Sequence, residues 1–163
     1  MPFEEKYKAT IDLLRESIPE TAGKNKPLLP HVLRVGTYLH EHGYSNEVVN
    51  AGLLHDLLEW TNTSDVLIKE RFGQHVFDIV KANTKNREIS DPIQRRMDYV
   101  NRCVAVGLDA LIVKAADTLD SFDYYTKQKN SNELERSRNI SRLILDKVNG
   151  DVDPIFIELQ NIV

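Results

Sequence analysis

The sequence contains a single cysteine, Cys103, in 163 residues. One thiol excludes an internal disulfide framework and any cysteine-rich zinc site. Cys103 leads into the apolar run Val104-Ala105-Val106, with no evident histidine partner, and is expected to be a buried structural thiol. Excess positive charge is missing as well: 21 Lys+Arg stand against 25 Asp+Glu, a formal net charge of −4. That balance argues against general nucleic-acid binding and against an anionic membrane surface as partner. No apolar run approaches the ~20 residues of a membrane-spanning helix. The start, Met1-Pro2-Phe3-Glu4-Glu5-Lys6, lacks the layout of a signal peptide, so a soluble, cytoplasmic chain is expected. There is no sustained apolar–polar alternation that would mark a strand, and no repeat.

What is present is helical periodicity. With 41% apolar residues, the chain can build a core, and its length suits one domain over residues 1–163. Phe3, Tyr7, Ile11, Leu14 and Ile18 recur at helical spacing. Pro30 is placed to open a helix that Gly43 ends. Ser45 is placed to cap a helix expected to run unbroken to Trp60. Thr63 or Ser64 caps a short helix to Phe72, and Gly73 separates it from one over Val76, Ile79 and Val80. Pro92 starts a helix that Gly107 breaks. Further helices are expected over 108–125, over 130–148 and from Pro154 to Ile157. The expected fold is an all-α, compact multi-helix bundle.

Three polar interruptions of apolar helices carry the chemistry. His55-Asp56 sits between Leu53-Leu54 and Leu57-Leu58, the most apolar stretch of the chain. Two ionisable groups buried there without compensation would cost several kcal/mol, and a metal ion compensates both. Asp117 interrupts a second buried-looking run, with Lys114 and Ser121 on its face. His31 lies one residue after Pro30. Two imidazoles and two carboxylates form a mixed N/O set suited to Mn, Fe, Co or Zn. An ion held there acidifies water and polarises a phosphoryl oxygen. Glu59, four residues after His55 and on its face, is placed as a catalytic proton acceptor.

The order His31 … His55-Asp56 … Asp117 resembles the signature of the HD-domain metal-dependent phosphohydrolases. Three further segments are similar to the hydrolase domain of the RelA/SpoT alarmone enzymes. They are His55-Asp56-Leu57-Leu58-Glu59-Trp60-Thr61, Phe72-Gly73-Gln74-His75-Val76 and Val80 to Lys85, and Lys114-Ala115-Ala116-Asp117-Thr118-Leu119 resembles a fourth. The motif-bearing core spans about 28–125, followed by C-terminal helices over 130–163. The resemblance implies an HD-type helical domain with one divalent ion, by family habit Mn with Fe, Co, Ni or Zn as other choices, on His31, His55, Asp56 and Asp117. It also implies removal of pyrophosphate from the 3′ position of guanosine 3′,5′-bis(diphosphate), ppGpp, by a hydrolase unit without an attached synthetase. Lys24, Lys26, Lys114, Asp120 and Ser121 are the implied substrate contacts.

The sequence departs from the family pattern at three places. Trp60 replaces the second acid of an ED pair, Ser121 replaces an asparagine, and Lys24-Asn25-Lys26 is a shortened basic stretch. Two alternatives follow: an HD nucleotidase or phosphomonoesterase on another nucleotide, and a catalytically weak nucleotide-binding protein. Elsewhere plain structural roles are expected. Trp60 and the cluster Phe122, Tyr124, Tyr125 are expected to pack, the charged run Glu133–Arg138 to face solvent, and His40, His42 and His75 to have no role in the site. Lys85 and Arg96 are minor candidates for phosphate contact.

Overall fold

A computed structural model describes residues 1–163. The chain forms eleven α-helices and no strand. They are α1 (Phe3–Lys6), α2 (Lys8–Ser17), α3 (Leu28–Glu41), α4 (Asn46–Leu54), α5 (Leu57–Trp60), α6 (Asp65–Phe72), α7 (Gln74–Ala82), α8 (Pro92–Val106), α9 (Leu108–Lys127), α10 (Ser131–Leu145) and α11 (Pro154–Ile162). A 3-10 turn over Gly150–Val152 precedes the last helix.

The stop and start signals act largely as their chemistry dictates. Ser45 Oγ accepts from Val48 N–H, and Ser64 Oγ from Leu67 N–H, each satisfying an orphan donor of a first helical turn. Gly73 and Gly107 take the positive φ values, 90° and 129°, that a side chain resists. Two boundaries differ from expectation. The first amphipathic helix bends at Tyr7, whose hydroxyl leaves the helix line to donate to Asn46 Oδ1 at 2.9 Å. The third helix opens at Leu28, so Pro30 lies inside its first turn, where a missing N–H costs nothing.

Helix α9 is the axis of the molecule. Ala110 through Ala116 are buried without interruption, the pattern of a helix enclosed on all sides. Helices α3, α4, α7, α8, α10 and α11 pack around it. Cys103 is fully buried on α8, and burial pushes its thiol pKa up to about 11.

Helices α3 and α4 approach closely through two glycines. A Cβ on Gly36 would fall 2.4 Å from Leu53 Cδ2, and one on Gly52 would fall 2.4 Å from Leu39 Cδ1. The close approach sets α3, which carries His31 in its first turn, against α4, whose end leads into His55. The C-terminal helix is clasped to α3 and the segment after it: Tyr38 OH donates to the Glu158 carboxylate and Tyr44 OH to Asp153 Oδ1.

Candidate metal centre

The helix expected to run unbroken to Trp60 stops at Leu54 and restarts at Leu57. The interruption falls on His55 and Asp56. Asp56 sits at φ −102°, ψ −2°, the sparsely populated bridge region. This break has a geometric use. Adjacent side chains on a regular helix point apart and cannot meet. Here His55 Nε2 and Asp56 Oδ2 converge to 3.3 Å.

His31, from the first turn of α3, and Asp117, from the middle of α9, meet them. His31 Nε2 lies 3.3 Å from His55 Nε2, 3.0 Å from Asp117 Oδ1 and 3.5 Å from Asp56 Oδ2. His55 Nε2 lies 3.4 Å from Asp117 Oδ1. These spacings suit a shared ion. Donors bonded at ~2.1 Å to one ion lie about 3.0 Å apart at a right angle and about 3.4 Å apart at the tetrahedral angle. The nitrogens of His31 and His55 and a carboxylate oxygen of Asp117 form a group that could hold a metal ion.

The second nitrogen of each imidazole is occupied. His55 Nδ1–H donates to Gly52 O at 2.6 Å, and a carbonyl only accepts, so the Nε2 lone pair of the neutral ring faces the cluster. His31 Nδ1–H donates to Asp120 Oδ2 at 2.6 Å. Asp120 is gripped in turn by Arg34, through Nε at 2.8 Å and Nη2 at 3.0 Å. An imidazole oriented by a carboxylate behind it is the usual support of a metal-ligating histidine. The residues therefore fit a divalent ion.

The two carboxylates also draw a proton onto the His55 ring, which a bound ion would displace. Burial disfavours a charged His55 ring, yet the carboxylates of Asp56 and Asp117 outweigh it and raise the His55 pKa well above 6.5. Burial likewise works against ionised Asp56, but His55 holds it well below the usual carboxylate range. Asp117 is held down, against burial, by Lys114 and His55. The two ionised carboxylates are balanced here by His55 and Lys114, and a divalent ion would take the place of the His55 proton.

Above this floor opens a cavity of about 320 Å³. Asp56, Glu59 and Asp117 line it, and Lys24, Lys26, Lys114 and Ser121 face into it. Lys26 Nζ donates to Ser121 Oγ, closing the loop before α3 onto α9. Lys114 lies 2.9 Å from Asp117 Oδ2 and 4.2 Å from the centre of the Tyr99 ring, so it braces a ligand carboxylate as well as facing the cavity. Asp120 is not part of the lining. It lies behind His31, on the supporting side of the cluster rather than the open one.

Glu59 is nearly enclosed, its side chain 4% exposed. Its Oε1 accepts Lys85 N–H at 3.1 Å, and its Oε2 lies 3.7 Å from Arg87 and 3.9 Å from Lys85 Nζ.

Several lining residues were not legible in the sequence. Arg87, Arg95 and Arg136 join the lysines, so seven basic side chains face four acidic ones in a chain of net charge −4. The run Glu133–Arg138 is therefore not simply a solvated face. Glu133, Arg136, Ser137 and Ile140 recur at helical spacing and turn one side of α10 to the cavity. Trp60 is a second correction: it does not pack in the core but stands 43% exposed in the cavity lining. The break at His55-Asp56 re-aims α5, whose Leu57 takes the core position. Lys85 lines the cavity and Arg96 does not. Tyr125 lines it as well. His40 packs on Phe3 and Tyr7, His42 stacks on Tyr38, and His75 pairs with Asp109, all outside the cluster.

Two buried polar atoms in the lining have no hydrogen-bond partner, Asn83 Oδ1 and Tyr99 OH. The Asn83 amide is oriented by its donation to Ile79 O and Ala110 O, which leaves its oxygen as a free acceptor. Only the assembled structure shows them.

Comparison with known proteins follows the same lines. Residues 11–146 match the HD domain family. A guanosine-3′,5′-bis(diphosphate) 3′-pyrophosphohydrolase from Aquifex aeolicus is 36% identical over 98 residues, 59% of this chain and 14% of that enzyme. The Xenopus tropicalis enzyme of the same name, MESH1, is 36% identical over 97 residues, 57% of this chain and 52% of that protein. The matches thus cover about half or less of these relatives' length. The solved structure of a metazoan ortholog of SpoT that hydrolyses ppGpp aligns over 98% of this chain and 92% of its own, with TM-score 0.73 and 19% identity. One from Listeria monocytogenes EGD-e aligns over 85% and 96%, with TM-score 0.68 and 24% identity. At those identities the structures speak to the fold, which is the same. No helix is long and apolar enough to cross a membrane. By its matched length and its His–His–Asp cluster, the chain belongs to the HD domain family.

Proposed function

We propose that the protein is a divalent-metal-dependent phosphohydrolase acting on a small phosphorylated nucleotide, with guanosine 3′,5′-bis(diphosphate) as the leading substrate. The observation that carries this is one juxtaposition: donor atoms 3.0–3.5 Å apart at the floor of a cavity with a basic wall. His31, His55, Asp56 and Asp117 would hold the ion, by family habit Mn. When bound, a divalent ion supplies polarisation of a phosphoryl oxygen and acidification of water. The chain's own residues supply the rest. Lys24, Lys26, Lys85 and Arg136 neutralise phosphate charge, and Ser121 offers a hydroxyl. Lys114 holds Asp117, and Asp120 holds the His31 ring. Glu59, oriented by the Lys85 N–H, accepts the proton of the attacking water. The identity of about a third to the ppGpp 3′-pyrophosphohydrolases supports the substrate.

Trp60 favours a second reading. An indole stands beside Glu59 where those hydrolases carry a second acid, which suits a sister activity releasing monophosphate from another nucleotide. Incubation with a nucleotide panel and Mn, scoring pyrophosphate against phosphate, decides. Pyrophosphate from ppGpp supports the leading substrate. Phosphate alone from other nucleotides transfers the assignment to the sister activity. No turnover with any metal, alongside binding by calorimetry, leaves a nucleotide-binding protein instead.

A further inference from the structure

Trp60 is the chain's only tryptophan and one of the few apolar side chains in a polar, basic cavity. Its backbone is held: Trp60 N–H donates to Asp56 O at 3.2 Å, and Thr61 N–H to Leu57 O at 3.1 Å. The indole is carried on a fixed turn, four residues or ~6 Å of helix beyond Asp56. Facing it is Arg87, whose guanidinium carbon lies 5.7 Å from the ring centre. Arg87 is also positioned, with Nη2 3.7 Å from Glu59 Oε2. Its loop is anchored by the Lys85 N–H to Glu59 and by Arg102, which donates to Lys81 O and Thr84 O.

A base in contact with both groups needs about 7 Å between them, so Arg87, 5.7 Å from the ring centre and mostly exposed, opens by roughly 1 Å to admit a flat ring. Bases stack on aromatic faces and on guanidinium planes regardless of their hydrogen-bonding edge. The basic wall demands phosphate, and the Trp60–Arg87 pair demands a flat ring. A nucleotide carries both on one molecule, whereas a sugar phosphate or inorganic pyrophosphate does not. We propose that Trp60 and Arg87 form a stacking clamp for the nucleobase at the mouth of the cavity. The clamp makes Trp60 a binding residue that selects nucleotides over other phosphorylated compounds. It rests on the nucleotide assignment above and adds which residue reads the ring.

The lone tryptophan makes the clamp directly observable. The full chain, purified without chelator, is titrated with GDP, with ribose 5-phosphate and with inorganic pyrophosphate, following indole fluorescence and heat. GDP is expected to quench Trp60 saturably, and the two ring-free compounds to bind without quenching. Trp60→Leu is expected to weaken GDP binding about tenfold or more, the loss of one stacked base. The same variant should leave pyrophosphate affinity unchanged, and Trp60→Phe should keep most of the GDP affinity. Circular dichroism checks that both variants fold. If Trp60→Leu binds GDP as tightly as the natural chain, the clamp is wrong and the nucleotide assignment stands. If GDP neither binds nor quenches Trp60 in the natural chain, the clamp and the nucleotide assignment both fall.

Discussion

The floor and the wall of the cavity are built by opposite means. At the floor every charged group already has a protein partner. Asp56 and Asp117 face His55, Lys114 holds Asp117, and Asp120 sits between His31 and Arg34. These groups ride on helices and at a helix break, packed against the central α9. The wall draws on the loop before α3, the loop before α8, and one side of α10. Lys24 and Arg87 there are exposed. A preorganised floor suits a small ion whose ligands must be held within tenths of an ångström. A looser wall suits a larger anion, for which charge matters more than angle.

The largest effect is expected at the floor. Asp56→Ala should abolish hydrolysis and metal uptake while leaving most of the helicity, read by product assay, elemental analysis and circular dichroism. Full activity in this variant would remove Asp56 from the ligand set. One layer back, Asp120→Ala frees the His31 ring. Loss of such a supporting carboxylate lowers metal affinity by about 10- to 100-fold. A calorimetric titration that shows no change would mean His31 is oriented by packing alone.

The wall should respond differently. Arg136→Ala is expected to leave metal uptake intact and weaken nucleotide binding by about 10-fold or more, the scale of one lost charged hydrogen bond. The loss should shrink at high salt, because exposed charges are screened. If Arg136→Ala instead strips the metal, floor and wall are not separable.

The smallest effect lies outside the cavity. His75 donates from Nε2–H to Asp109 at 2.8 Å, and this bond raises the His75 pKa above 6.5. A raised folded-state value stabilises the fold fully below pH 6.5, and the contribution disappears as pH rises through the folded value. Both side chains are more than a third exposed, so the gain stays within about 1 kcal/mol. Melting curves of the natural chain and His75→Gln from about pH 5 to 8 should therefore converge at the alkaline end. A gap that widens with pH would contradict the pairing.

The floor and the wall also differ in how visible they are before folding. The candidate ligands announce themselves as ionisable side chains inside apolar stretches: His55-Asp56 between two leucine pairs, Asp117 within Leu111 to Leu119. Burial makes such residues costly, so their presence signals compensation. The helix break that brings Asp56 to His55 was not visible, because Leu57-Leu58 continues the apolar pattern through it. The same continuity predicts a core position for Trp60, which the break turns into the cavity instead. Arg136 was hidden because a charged helical face looks alike whether it meets solvent or a cavity. Asn83 and Tyr99 acquire their unpaired atoms only from the packing of α7 and α8 around α9.

The proposed function turns on one divalent site held by His31, His55, Asp56 and Asp117. Metal content and Mn uptake by the full chain, purified without chelator, test it most directly. Close to one ion per chain is expected at saturation, lost in Asp56→Ala. Only traces of metal, unrecovered on adding Mn, would contradict it.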